Sequence, residues 1–571
     1  MFLLLLRLAL IPAWLVAFVP STSAATPSPA DIDQVFAAWN KPGSPGLALA
    51  VMKEGKIIYT RGYGQASLEY GIPITPKTVF HAASLSKQFT GYAIQLLAQE
   101  GKLSLDDSVK KYVPELQVEG SPITIRHLLH HTSGLRDQWD LLTLAGLRQD
   151  DTITESDILG LVFQQKQLNF DPGSEHLYSN TGYTLLGLIV RRVSGQSLAA
   201  FAQERIFAPL GMKSTHFQEN YGTVVMNRAY SYARARDGKW RYVALSYSNT
   251  GATSVFTTVE DLALWNANFD QPRAGHADAV QALLATGKTN EGRDTNYASG
   301  LVVSSYRGVP LIAHTGSDAG YRAYFLRLQQ QRLAVMILGN AAELDVAQLG
   351  QRVADLYIAG EPGAHPPPTF PPEVEVRADG LAGFAGDYEA TRGHVVSFFV
   401  QQGRLFLFTG GPPTPLFPSG ATQFFAKTGN MSVNFTASSG HGAAPTAVWN
   451  VGGRELSLRR LVRESPSPEM VRACTGDFYS PELRTIYTLE TRDGKLLLRY
   501  ARGVIELKAI NGDTWVAGYP LGIITMKRGA AGVCETLEAT TARVRTLQFQ
   551  RMKSGLPAVH TDRDTRSQAG G

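Results

Sequence analysis

The chain has 571 residues, 44% hydrophobic and 18% charged, more than a single hydrophobic core organises, so two or three domains are expected. Its 54 Lys and Arg against 49 Asp and Glu leave a formal charge of +5 without a concentrated basic face, which argues against nucleic acid as a partner. Two cysteines, Cys474 and Cys534, exclude a disulfide-dense scaffold, a Cys-rich zinc module and an iron–sulfur protein, and the apolar content excludes a disordered chain.

At the start, Arg7 precedes a 12-residue apolar run, Leu8 to Val19, followed by Pro20 and the small residues Ser21 to Ala25. This order reads as a cleavable export signal over residues 1–25 and implies a periplasmic or secreted location. The run is shorter than the roughly 18–20 apolar residues of a bilayer span. With Leu3 to Leu6 added, an uncleaved anchor is the alternative.

Residues 26–358 are expected to form the first folded domain. Ser28-Pro29 supplies a cap and first-turn proline for a helix near 29–39, and Gly46 to Lys53 with Lys56 to Tyr63 reads as a hairpin turning at Glu54-Gly55. Helical and strand patterns then alternate, and the late apolar runs Tyr321 to Leu328 and Leu333 to Leu338 predict an antiparallel sheet assembled from both ends of the domain. The fold class is α/β-type, more strictly α+β, with helices packed on that sheet. Six prolines between Glu361 and Pro372 place a semi-rigid linker over 359–378.

Beyond the linker, short alternating strands separated by Gly turns predict small antiparallel β-barrels. This region repeats with a period of about 90 residues. Gly386-Asp387-Tyr388 recurs as Gly476-Asp477-Phe478, Gly403-Arg404-Leu405-Phe406-Leu407 as Gly494-Lys495-Leu496-Leu497-Leu498, Phe417 as Leu507 and Phe425 as Trp515. Two tandem modules, 379–462 and 470–552, are expected, with a disordered tail over 553–571. Both cysteines fall in the second module, where an oxidised pair would close its loop.

Ser84-Leu85-Ser86-Lys87 begins a helix with apolar residues at Leu85, Phe89, Ala93, Leu96 and Leu97, ending at Gly101. Ser84 and Lys87 are one turn apart, so an amine lies beside a hydroxyl near a helix N-terminus, as a nucleophilic serine requires. With 36 Ser and 17 Lys the Ser-x-x-Lys spacing arises by chance about once, and a second instance, Ser108 to Lys111, sits in a polar stretch that reads as a solvated surface. A second constellation is Tyr178-Ser179-Asn180, on a loop before a helix that runs to Gly195; the pentapeptide Tyr-Ser-Asn-Thr-Gly recurs at 247–251. A third, His314-Thr315-Gly316, closes the apolar run Val309 to Ala313, with a glycine that would let a substrate backbone lie against the strand edge.

In this order the three motifs resemble those of the penicillin-recognising serine hydrolases. The connecting segments Ile125 to Leu135, Pro172-Gly173 leading to Tyr178 to Tyr183, and Pro209-Leu210-Gly211-Met212 resemble the class C β-lactamase-related branch, and residues 251–265 resemble its Gly-rich wall segment. The resemblance implies Ser84 as nucleophile and Lys87 and Tyr178 as the proton-transfer pair, with the choice of base left open. It implies Asn180, His314, Thr315 and Gly316 as substrate ligands and an oxyanion hole from the backbone N–H groups of Ser84 and Ser317. His314 stands where β-lactamases carry Lys, which weakens capture of a β-lactam carboxylate.

A domain of this family followed by two β modules resembles the bacterial D-aminopeptidases with two lipocalin-like barrels. The implied activity is acyl-enzyme hydrolysis of an amide or peptide bond, with a D-residue next to the cleaved bond. Alternatives are a carboxylesterase, a DD-peptidase or weak β-lactamase and, in another class, a non-catalytic receptor for peptidoglycan fragments. No cofactor is expected, and the cluster His127, His130 and His131 is expected to pack structurally rather than hold a metal. The partners expected are small peptide, amide or ester substrates, with a cell-wall fragment as a candidate. A turn of the second module, Tyr500 to Val504, is favoured over Thr409 to Pro418 as the one that lines the cleft.

Overall fold

The computed structural model describes residues 27–553 except 149, 236, 361–362, 367–369, 392–393, 410–412, 428–430, 437–442, 452–453, 463–465, 511 and 519–520. The expected export signal, 1–25, and the expected tail beyond Lys553 lie outside the described residues.

Six strands form one antiparallel sheet: β1 (Leu47–Lys53), β2 (Lys56–Tyr63), β3 (Val302–Tyr306), β4 (Val309–Asp318), β5 (Tyr321–Leu328) and β6 (Leu333–Gly339). Their spatial order is β3-β4-β5-β6-β1-β2, so the N-terminal hairpin completes a sheet begun by the last strands of the domain. The hairpin turns at Glu54-Gly55, as expected.

Strand composition follows from burial on both faces. Ala48, Ala50 and Met52 of β1 enter one core while Leu47, Leu49 and Val51 enter the other, and β6 divides in the same way. Alternation therefore vanishes from the sequence, because both faces are covered. One cover is α1 (Pro29–Phe36), with a Ser28–Asp31 capping box, together with the C-terminal helix Val346–Ile358. The other is a larger helical layer that includes α2 (Ser86–Gln99), α3 (Gln138–Leu144) and α4 (Asn180–Ser194).

Two closed eight-stranded antiparallel barrels follow, spanning Gly386 to Arg460 and Gly476 to Arg551. The repeated residues occupy equivalent strands, and the glycine of the repeat has a shared physical cause. Gly386 (φ 153°) and Gly476 (φ 132°) each face an arginine of the last strand, where an added Cβ would stand 2.7 Å from the Arg460 guanidinium and 2.6 Å from that of Arg551. The same arginines lie over the repeat's aromatic rings, Arg460 over Tyr388 and Arg551 over Phe478. Cys474 and Cys534 are disulfide-bonded, which fastens the segment entering the second barrel to its seventh strand.

The second barrel is anchored on α3 and the loops beside it. Leu141 and Leu144 of α3 belong to its hydrophobic core, and the Tyr487 hydroxyl donates to the Leu144 carbonyl at 2.9 Å. Arg136, whose side chain is 0% exposed, donates to Glu482 at 2.5 Å and to the Arg545 carbonyl at 3.0 Å. Asn169 exchanges hydrogen bonds with the backbone of Arg543 and Arg545.

Candidate active site

Ser84 lies in a short 3-10 turn, Ala83–Leu85, immediately before α2 rather than inside that helix. Ala83 has φ 49°, a left-handed conformation unusual for alanine, and the Ser86 hydroxyl fixes the turn by donating to the Ala83 carbonyl at 2.6 Å while accepting from the Val255 amide at 3.0 Å. One turn on, the Lys87 ammonium reaches back to Ser84 Oγ at 3.1 Å. It also donates to Asn180 Oδ1 at 2.8 Å and to the Ala252 carbonyl at 2.7 Å.

Tyr178 comes from the loop before α4 and lines the same cavity as Ser84, with the Lys87 ammonium 4.9 Å from the centre of its ring. That loop is held by His131, whose carbonyl accepts from the Leu177 amide at 2.9 Å, whose Nδ1 accepts from the Ser179 amide at 3.2 Å and whose ring packs 4.2 Å from the Tyr178 ring. The Ile125 to Leu135 segment thus serves as the frame for Tyr178. His130 engages the Tyr297 carbonyl at 3.0 Å and His127 accepts from the Thr124 amide at 3.2 Å, so the three histidines have separate packing roles.

The third motif closes β4. Strand β3 pairs with β4 only as far as Ala313, which leaves His314–Asp318 extending past its end along the cavity wall. Gly316 serves this approach differently from expectation, because an added Cβ would stand 2.4 Å from the Ala82 carbonyl. The glycine lets the strand press against the turn that carries Ser84. His314 bonds the Tyr297 hydroxyl at 3.0 Å and the Thr315 carbonyl at 2.6 Å.

Ser84, Tyr178, Asn180, His314, Thr315 and Ser317 all line one cavity of about 920 Å³. Lys87 lies beneath its floor, and Gly316 lies behind its wall. The second Ser-x-x-Lys instance, Ser108 to Lys111, lies apart from this cavity: Lys111 pairs with Asp107 at 2.9 Å on the surface. In the repeated pentapeptide, Asn249 is buried against Thr184, whereas Tyr247 joins the cavity wall and donates to Asp318.

Several residues at this site carried no sequence signal. Asp137 caps α3, and one of its carboxylate oxygens accepts from Asn180 Nδ2 at 2.8 Å and from the Asn180 amide at 2.7 Å. Arg543 enters from the second barrel, 3.7 Å from Asp137 and 5.2 Å from the centre of the Tyr178 ring. Asp140 accepts from the Thr541 hydroxyl at 2.5 Å and the Arg543 amide at 3.2 Å. The expectation for Tyr500 to Val504 is corrected: that tight hairpin places Arg502 on Gly146 and Asp151, away from the cavity. The connection 541–546 reaches the site because it is longer. Thr409 and Phe408 of the first barrel also line the cavity; residues 410–412 lie outside the described residues.

Burial dominates the electrostatics. It pushes the Lys87 amine down to about 7, with Asp137 opposing and Arg543 assisting. It pushes the Tyr178 phenol well above its ordinary range, which the nearby Ser84 hydroxyl and the Arg543 charge only partly offset. His314 is pushed down to about 4 by burial and by the Lys87 charge, so it is neutral near pH 7. Burial raises Asp140, reinforced by the Asp137 charge, and burial also raises Asp318.

A helix-covered antiparallel sheet with Ser-x-x-Lys, Tyr-x-Asn and His-Thr-Gly at one cavity defines the class of β-lactamase-fold serine hydrolases. Residues 32–358 match the Beta-lactamase family, and the chain belongs to it. It is 28% identical over 443 residues to "Penicillin-binding protein 4*" of Bacillus subtilis, covering 72% of this chain and 94% of that protein. It is 28% identical over 309 residues to the D-aminopeptidase of Gluconobacter oxydans, covering 53% of this chain and 58% of that one. The fold is also that of the octameric penicillin-binding protein homologue from Pyrococcus abyssi, with a TM-score of 0.53 at 22% identity over 83% of this chain and 98% of the other.

Proposed function

We propose that the protein cleaves an amide or peptide bond through an acyl-enzyme on Ser84, as a D-aminopeptidase-like hydrolase. The observation that carries this reading is the buried Lys87 amine 3.1 Å from Ser84 Oγ, with its pKa at about 7. A fraction of Lys87 is then neutral at working pH and accepts the Ser84 proton as Oγ attacks the carbonyl. The backbone N–H groups of Ser84 and Ser317 are the proposed oxyanion donors. Tyr178, kept protonated by burial, donates to the leaving amine and is reprotonated from Lys87. Water then attacks the ester with the same pair returning the proton to Ser84, while Asn180 holds the substrate amide.

Neutral His314 supplies no charge for a substrate carboxylate, and Asp140 and Asp318 line the cavity together with Arg322 and Arg543. The missing cation at His314 supports an aminopeptidase-like substrate over a penicillin. A carboxylesterase is the second reading, favoured by Val395, Phe408, Val516 and Ile523 on the wall between the two barrels. Export through residues 1–25, expected from the sequence, would put this chemistry in the periplasm or medium, and the N-terminal mass of the purified protein tests it.

The deciding experiment sets D- and L-aminoacyl anilides against a short-chain nitrophenyl ester and a chromogenic cephalosporin. A burst of leaving group from the D-aminoacyl anilide is expected. A preference for the ester or the cephalosporin would overturn the aminopeptidase reading, and binding with no burst from any substrate would favour a receptor.

A further inference from the structure

The Lys87 amine faces groups from several elements. Ser84 lies on its own turn, Asn180 and Tyr183 on α4, Tyr178 on the preceding loop, the Ala252 carbonyl on the wall segment, and His131, His314 and Asp318 around the cavity. Behind Asn180 stands Asp137, a carboxylate whose side chain is 0% exposed. An anion so placed would hold Lys87 protonated and oppose its use as a base. The cation set against it comes from the second barrel: Arg543, 3.7 Å from Asp137 and over the Tyr178 ring. The contacts form one chain, Arg543–Asp137–Asn180–Lys87–Ser84.

The connection that carries Arg543 is fixed at both ends of its reach. Asp140 accepts from Thr541 and from the Arg543 amide, Asn169 bonds the Arg543 carbonyl at 2.9 Å, and Arg136 bonds the Arg545 carbonyl. A surface cation serving solubility would need none of these bonds.

We propose that Arg543 of the second barrel is a positioning residue of the active site, which offsets the Asp137 carboxylate and adds positive potential at Lys87 and Tyr178, so that docking of this barrel extends Ser84 activation toward lower pH. The inference rests on the serine-hydrolase reading above. Its sign does not depend on which of Lys87 and Tyr178 accepts the Ser84 proton, because the guanidinium favours the deprotonated form of both.

The test uses the full-length protein and the pH dependence of Ser84 modification by a small fluorophosphonate. For Arg543→Met the acid limb is expected to move up by about 0.5–1 pH unit, the scale of one nearby charge moderated by access to the open cavity. Arg543→Lys should restore at least half of the shift, and adding Asp137→Asn to Arg543→Met should bring the limb back toward wild type. Titration of the Lys87 amine by 15N NMR, assigned with Lys87→Arg, reads the same coupling without turnover and should show the same upward shift in Arg543→Met. If neither the limb nor the Lys87 titration moves in a folded Arg543→Met protein, the proposal is overturned and Arg543 is only a docking contact. A wild-type protein that resists the phosphonate while Lys87 still shifts would overturn the hydrolase reading and leave the coupling standing.

Discussion

The two barrels share a strand plan, the paired glycine and arginine and an aromatic core, yet they relate to the active site in different ways. In the first, the seventh and eighth strands, Thr446–Val451 and Arg454–Arg460, are separated in sequence by residues 452 and 453 alone. In the second, Cys534–Thr540 and Leu547–Arg551 are separated by 541–546, and this longer connection delivers Thr541 and Arg543 to the cavity. The second barrel also takes Leu141 and Leu144 into its core, whereas the first meets the cavity through Val395, Ser397, Phe408 and Thr409 on its wall. A duplicated module keeps its strands because they build its own core, and it diverges in the turns, where length is tolerated.

The reference for testing this contrast is Ser84→Ala, which should lose at least ~10³-fold in turnover while Ser108→Ala stays at wild-type activity. Phosphonate labelling at any other serine would undo the site. Next in size, replacing 541–546 by the Gly-Gly of 452–453 should slow Ser84 modification by roughly 10- to 100-fold, since it removes Arg543 and loosens the docked frame. Inserting four residues at 452–453 should change the rate by less than about twofold; equal effects of the two changes would erase the distinction between the barrels.

Docking and folding of the second barrel are separable by stability. The double change Cys474→Ala and Cys534→Ala should lower the barrel's stability by about 4 kcal/mol on the chain-entropy estimate for this loop. Leu144→Ala should cost about 2–5 kcal/mol as a cavity in the shared core. In denaturant unfolding followed by intrinsic fluorescence, a second-barrel transition that shifts with the disulfide variant but not with Leu144→Ala would refute the shared core. The smallest effect is expected of His314→Lys, which should tighten a carboxylate-bearing penicillin several-fold at low salt and less at high salt. Unchanged affinity would place His314 away from the carboxylate end of the ligand.

Much of the architecture was legible in the residues. The apolar runs of β1, β5 and β6, the turn at Glu54-Gly55 and the 90-residue repeat reflect local chemistry, namely burial on both faces, positive φ at a turn and strand alternation. Ser84, Lys87, Tyr178, Asn180 and the His314 strand were legible because each pairing is set by short spacing along a turn or by a motif in a family order.

Asp137, Asp140, Tyr247 and Arg543 were not, and the reason is distance along the chain. Asp137 and Arg543 lie about 400 positions apart in the sequence, and each alone looks like a helix cap or a surface arginine. What a buried carboxylate does depends on which cation the folded chain sets beside it, because desolvation and charge pairing are properties of the packed interior and not of the neighbouring residues. The sequence by itself determined the sheet, the duplicated barrels and the pairing of Ser84 with Lys87. The tertiary structure decided that the second barrel, through Arg543, lines the same cavity as Ser84.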